Sequence, residues 1–276
     1  MERSGEEPIS EQRLRRAVEE NEFRLYYQPQ IDQRTGRIVG AEALLRWLDP
    51  QNGLLSPGEF LTSLEATGLI IPVGEWVVQQ AAKDCQRWQH LGLPRLRIGL
   101  NVSPSQVHQR LGDPGALDTS ALRSCCDLYL EIDGRQISGA PPGVVRALHA
   151  LQFEGVNIAV QGFGADESLR SRLWSLPVDV LKIDHSLVRR MLYEEDATQT
   201  VASLVALARA FRLGIVAECV ETHEELDKLE QLGCRHIQGF VYSAPLPAVR
   251  FEGLLEATAC TPGWIREREP SEVLNS

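Results

Sequence analysis

Glu42, Leu44 and Arg46 alternate within the octapeptide Gly40–Trp47, GAEALLRW. Side chains at i, i+2 and i+4 of a strand project to one face, so an acid, an aliphatic and a guanidinium share one interior. Burying charge is costly unless it is paired or bound to something. Two readings meet that cost: a buried Glu42–Arg46 ion pair, or a pocket built around a ligand. Five further polar residues bear on the choice. Asn101, Glu131, Lys182, Glu218 and Gln238 each fall at or near the C-terminal end of a different apolar run. Three glutamates and an asparagine form an all-oxygen set suited to a hard divalent cation, and a lysine among them polarises water or holds a phosphate. Each has a plainer explanation alone. Lys182 can snorkel at a core edge, Asn101 can satisfy a turn, and Glu218 and Glu221 can sit in the first turn of a helix.

Positioning these residues requires regular elements. Ser10 followed by EQRLRRAVEENEF reads as a capped amphipathic helix. FRLYYQPQI (Phe23–Ile31) alternates as a strand, and Arg34-Thr35-Gly36 turns it into RIVGAEALLRW as an antiparallel hairpin. Ser56-Pro57 opens a short helix, and Val73–Leu91 forms a long one. Strands at Leu96–Val102, Leu128–Asp133, Val156–Gly164, Val178–Asp184, Gly214–Glu221 and His236–Phe240 then alternate with helices, including one over Ala165–Ser175. About eight strands, most of them continuously apolar, indicate a parallel α/β array with both sheet faces covered. Polar residues gathered at strand ends favour a modified (β/α)8 barrel of the TIM type with an antiparallel first strand. Neither G-x-G-x-x-G nor G-x-x-x-x-G-K-[ST] occurs, which weakens a Rossmann or P-loop reading. Residues 1–9 read as a disordered tail, 10–258 as the domain and 259–276 as a C-terminal tail.

Composition narrows the function classes. With 28 basic and 38 acidic residues the net charge is −10, which disfavours a general grip on nucleic acid. An anionic ligand therefore needs local cations or metal. Cys85, Cys125, Cys126, Cys219, Cys234 and Cys260 make no C-x-x-C pair and no zinc-like spacing, as expected of reduced thiols. No apolar run is long enough to span a membrane, and the N-terminus lacks the apolar stretch of a secretory signal. A cytoplasmic location follows as the expectation.

The segments YYQPQI, EALLRW, NVSPSQ (Asn101–Gln106), LEI (Leu130–Ile132), LPVDVLKID, AECVET and QGFVYSAPLP, in this order, resemble the EAL domain family of bacterial cyclic di-GMP phosphodiesterases over about Leu14–Ala257. The resemblance implies a barrel with one antiparallel strand and a two-metal (Mg2+ or Mn2+) hydrolysis of cyclic di-GMP to linear pGpG. It makes Glu42, Asn101 and Glu131 metal ligands, with Lys182 assisting the attacking water and Glu218 supplying a further carboxylate. Gln238 stands beside the metal cluster, and Gln28, Leu44 and Arg46 contact ligand, Arg46 toward a phosphate.

Two departures stand against catalysis. The family carries two aspartates before Phe-Gly, where this chain reads Gln161-Gly162-Phe163-Gly164. It also carries a glutamate three residues after the Glu131 position, where this chain has Gly134. Metal affinity follows ligand charge, so losing two carboxylates leaves an incomplete site and no retained metal. The expected function is a degenerate cyclic di-GMP receptor or regulator in bacterial signalling. The alternatives are an active metal-dependent phosphodiesterase and a nucleotide-independent module that binds a protein partner. EAL relatives dimerise near their fifth and sixth strands, so a homodimer is a further expectation.

Overall fold

The computed structural model describes residues 9–112, 117–164 and 175–260. The two tails, residues 113–116 and the helix expected over Ala165–Ser175 lie largely or wholly outside these residues. So does Asp166.

The chain opens with α1 (Glu11–Glu19), whose N-cap Ser10 accepts from the Arg13 backbone N–H at 3.3 Å. Strands β1 (Phe23–Asp32) and β2 (Arg37–Asp49) form the expected hairpin, in a register that places Gln28 opposite Glu42. A short β3 (Gly53–Leu55) extends this hairpin and was not legible in the sequence. A Ser56/Glu59 capping box with Pro57 then starts α2 (Pro57–Thr67), and Gly68, at φ +72°, ends it in the left-handed conformation. Helix α3 (Ile70–His90) begins three residues before the expected Val73.

Beyond this point strands and helices alternate. They are β4 (Arg97–Asn101), α4 (Pro104–Gly112), α5 (Ser120–Cys125), β5 (Asp127–Asp133), α6 (Gly134–Ser138) and α7 (Pro142–Phe153). There follow β6 (Asn157–Phe163), β7 (Val180–Ile183), α8 (His185–Arg190), α9 (Glu195–Phe211) and β8 (Gly214–Ala217). The described chain ends with α10 (His223–Gln231), β9 (His236–Gln238), β10 (Leu246–Pro247) and α11 (Ala248–Cys260).

Strands β1, β2 and β4 to β9 close into an eight-stranded barrel. β1 runs antiparallel to both neighbours, β2 and β9, while every other neighbouring pair in the barrel is parallel. The expected architecture is therefore present. Helices pack outside the barrel around a continuous apolar core, exemplified by Ile98, Leu130, Ile158, Leu181 and Ile237. A second cluster joins α1, α2 and α3 to the hairpin, with Trp47 and Phe60 edge-to-face at 5.7 Å. Tyr27 pins α3 to β1 by donating from its hydroxyl to Asp84 Oδ2 at 2.8 Å.

Several strand boundaries differ from the sequence reading. β8 stops at Ala217, because Cys219 takes a left-handed φ of +54° and turns the chain. Glu218 thus lies on the loop just beyond the strand, and α10 does not begin until His223. β7 and β9 are likewise shorter than their apolar runs, since the outer residues continue as loop.

Candidate functional site

Lys182 stands at the centre of the site. It projects from β7 into the barrel and is only 1 % exposed. Its Nζ lies 2.9 Å from Glu42 Oε2 on β2 and 2.8 Å from Glu218 Oε1, and it also contacts Glu131 Oε2 on β5. One carboxylate oxygen from each glutamate lies within 4.8 Å of the others, a spacing that could hold a divalent cation. The snorkelling explanation of Lys182 is overturned, since its ammonium faces inward onto three carboxylates. The helix-turn explanation of Glu218 falls with the boundary of α10.

Neighbouring amides complete the cluster. Asn101 Nδ2 donates to Glu42 Oε1 at 2.6 Å, and Gln238 Nε2 donates to Glu42 Oε2 at 2.6 Å. Gln238 also donates to Gln28 Oε1 at 3.0 Å and accepts from Gln30 Nε2 at 3.1 Å. Gln28 in turn donates to the Ser243 carbonyl at 3.2 Å. Register accounts for these meetings. Gln28 pairs with Glu42, Gln30 with Gln238, and Asn101 with Glu131. Gln30 was missed as a participant, although its two-residue spacing from Gln28 puts both on one strand face. Glu131 also needs Gly99 beside it, because a Cβ there would lie 1.9 Å from Glu131 Oε1.

Electrostatics follow from three acids sharing one base out of water. Burial pushes the Glu131 carboxyl up to about 7, reinforced by Glu42 and opposed by Lys182. Burial also raises Glu218 against the pull of Lys182. Burial acts upward on Glu42 too, but the Lys182 charge and hydrogen bonds from Asn101 and Gln238 hold it below the usual carboxylate range. Burial would lower the Lys182 ammonium; the charges of Glu131, Glu218 and Glu42 instead hold it well above an ordinary lysine.

Gln161 and Gly162 occupy the end of β6 beside this cluster. The Gln161 amide donates to Asn101 Oδ1 and to Glu131 Oε2, both at 2.8 Å. Gly162 has a φ of +70°, and a Cβ there would come 3.7 Å from Asp184 Oδ2 and 4.0 Å from Asp133 Oδ1. Both aspartates are already engaged. Asp133 caps α6 and pairs with Arg135 at 2.9 Å, and Asp184 caps α8 through Ser186 N–H at 2.8 Å. Gly134 is the first residue of α6, so this position contributes no carboxylate.

Arg46 does not pair with Glu42, and the ion-pair reading is overturned. β2 runs on to Asp49 beyond Glu42, so Arg46 sits farther along the strand while Lys182 takes the carboxylate. The half-buried Arg46 guanidinium donates to the Leu45 carbonyl at 2.8 Å and lies 5.7 Å from the Tyr26 ring centroid. Among the described residues it forms no salt bridge, and burial lowers its pKa. Leu44, Gln28, Asn101, Gln161, Glu218 and Gln238 all line the cavity that opens over the cluster.

Comparison with known proteins gives a consistent result. The family model for the EAL domain matches residues 11–245. The chain is 36 % identical over 250 residues to the Pseudomonas aeruginosa bifunctional diguanylate cyclase/cyclic di-GMP phosphodiesterase MucR, covering 89 % of this chain and 36 % of that protein. It is 34 % identical over 269 residues to the Escherichia coli oxygen sensor protein DosP, covering 94 % of this chain and 32 % of that protein. The chain thus spans about a third of the length of these curated relatives. Among solved structures, the MucR phosphodiesterase in complex with c-di-GMP superposes with a TM-score of 0.79 at 36 % identity, covering 87 % of this chain and 98 % of that one. The FimX EAL domain of Pseudomonas aeruginosa bound to c-di-GMP, at 23 % identity and TM-score 0.71, covers 84 % of this chain and 94 % of that one and shares the fold. No helix among the described residues is long and apolar enough to cross a membrane.

Proposed function

This chain belongs to the EAL domain family, and we propose that within it the domain binds cyclic di-GMP without hydrolysing it, as a receptor or regulatory module. One observation carries the reading: the Gln161 amide donates to the two acceptors, Asn101 Oδ1 and Glu131 Oε2, that a bound metal would need. The family's divalent metals therefore do not fit these residues. Lys182 already supplies the positive charge facing Glu42, Glu131 and Glu218. A divalent ion would have to turn the Gln161 amide around, with no aspartate at 161 or 162 to compensate.

Arg46 supports retention of the ligand. Its guanidinium is half-buried and unpaired with any acid among the described residues, leaving its donor fork available to a phosphate. Leu44 and Gln28, on the same β1–β2 hairpin as Arg46, are the further ligand contacts of this reading. MucR and FimX EAL domains have been solved with c-di-GMP, which supports the same ligand class here.

The test is direct. Purified protein is incubated with cyclic di-GMP and Mn2+, product is followed by chromatography, and binding is measured by calorimetry with and without metal. Metal-independent binding with no linear product is the expected result. Metal-dependent turnover at ordinary enzyme rates overturns it. Absence of binding heat and of any thermal shift favours the protein-interaction alternative instead.

A further inference from the structure

Cysteines lie scattered along the sequence, yet three of them meet in the fold. Cys85 lies on α3, Cys125 ends α5, Cys126 follows it, and α5 packs directly against α3. All three thiols are free and buried in the main apolar core. The Cys85 thiol is within hydrogen-bonding reach of both the Cys125 and the Cys126 thiols. Backbone carbonyls fix the set. Cys125 Sγ lies 3.8 Å from the carbonyl of Ala82, one turn before Cys85 on α3. It also lies 3.1 Å from the Leu122 carbonyl, which Cys126 Sγ approaches at 3.3 Å. The Gln89 amide ties the same two helices by donating to the Cys125 carbonyl at 3.0 Å.

Donor chemistry and charge select the occupant. Buried thiols suit soft d10 ions, whereas hard cations take oxygen ligands. Zinc requires four ligands in a tetrahedron, and Cys85 meets only two other thiols among the described residues. A linear, two-coordinate ion needs only Cys85 and one partner. Binding it leaves negative charge on sulfur, and a cation stands close by. The Arg95 guanidinium donates to the Cys126 carbonyl at 2.5 Å, to the Arg123 carbonyl at 2.9 Å and to the Ser124 carbonyl at 3.0 Å. Hydrogen bonding from Cys85, and then the Arg95 charge, bring the Cys125 thiol down to about 7 against its burial.

We infer that Cys85, with Cys125 or Cys126, binds a thiophilic d10 ion such as Cu(I) in linear coordination, bridging α3 and α5. Each thiol gives up its proton as its sulfur binds. One Cu+ thus replaces two H+ and leaves a single negative charge on the bis-thiolate, with Arg95 nearby. No residue of the carboxylate cluster takes part, so the inference stands apart from the receptor reading.

The test is anaerobic titration of the reduced full chain with Cu(I), in competition with bathocuproine disulfonate. Cys219→Ser and Cys260→Ser are introduced first, to remove thiols outside the cluster. The protein is expected to withdraw one Cu(I) from the chelator, with X-ray absorption showing two sulfur ligands. Cys85→Ser should weaken binding by at least about a hundredfold, since even an outer-shell loss costs about 10–100-fold. Cys125→Ser combined with Cys126→Ser should lose as much. Circular dichroism and thermal unfolding establish that the variants fold, and alanine replaces serine where they do not. If no variant folds, X-ray absorption on the chain with its cluster intact decides. Failure to withdraw Cu(I), oxygen or nitrogen ligands on the ion, or undiminished affinity in a folded Cys85 variant or a folded double variant overturns the inference.

Discussion

Gln161 donates its side-chain amide to Glu131 Oε2 at 2.8 Å, so a neutral neighbour engages one of the three glutamates that surround Lys182. A carboxylate at 161 would instead repel Glu131, unless a cation lay between them. One amide thus makes the cluster self-sufficient. With Lys182 beneath, the three glutamates form a closed network of charge-assisted hydrogen bonds.

Restoring both acids should reopen the site to metal. Gln161→Asp combined with Gly162→Asp is expected to raise Mn2+ affinity by at least tenfold in calorimetry. The φ of +70° at Gly162 adds a cost of about 1 kcal/mol or more, though aspartate tolerates this region better than most residues. Unchanged Mn2+ affinity in a folded double variant would show that β6 does not deliver these side chains to the cluster.

Lys182→Met should be among the most damaging single substitutions. It leaves Glu42 and Glu131 buried without their cation, and breaking such a pair costs about 3–5 kcal/mol. Urea unfolding at neutral pH measures the loss. Part of it should return on acidification, because the orphaned carboxylates then take up protons. A loss under 1 kcal/mol contradicts the central role of this lysine.

Arg46→Ala should weaken cyclic di-GMP binding by about tenfold to a hundredfold, the range of a lost charge-assisted contact. Stability should change little, because among the described residues the guanidinium contacts a carbonyl and a ring face and no acid. Arg46→Lys should fall between, keeping the charge but losing the fork. Equal affinity in all three proteins would place the phosphate elsewhere.

Stability should depend on pH through Glu131. Its folded value of about 7 exceeds the ordinary carboxylate value of roughly 4.3, so the folded state holds the extra proton between them. Stability therefore falls as pH rises through that window and levels off above about 7. Glu218, also raised, acts in the same direction. Glu42, held low, contributes stability that is lost only as pH drops below the ordinary value. In metal-free buffer, Glu131→Gln should flatten the slope between pH 5 and 7 in urea titrations, a range that lies within the window. An unaltered slope would assign that pH dependence to other groups.

Much of this was legible in the residues themselves. Alternation in YYQPQI and the Arg34-Thr35-Gly36 turn specified the β1–β2 hairpin, and apolar runs with Asn101, Glu131 and Lys182 at or near their ends marked barrel strands. Motif order carried the family, and Gln161-Gly162 is the point on which the proposal of a non-hydrolysing domain rests. Partnership was not legible. Spacing offered Glu42 an ion pair with Arg46 as one of two readings, whereas closure of the barrel brings in Lys182, 140 residues away. Local periodicity sets where a side chain points along its own strand. Which charge it meets across the barrel depends on strand order and register, and those are settled only when eight strands close on one another.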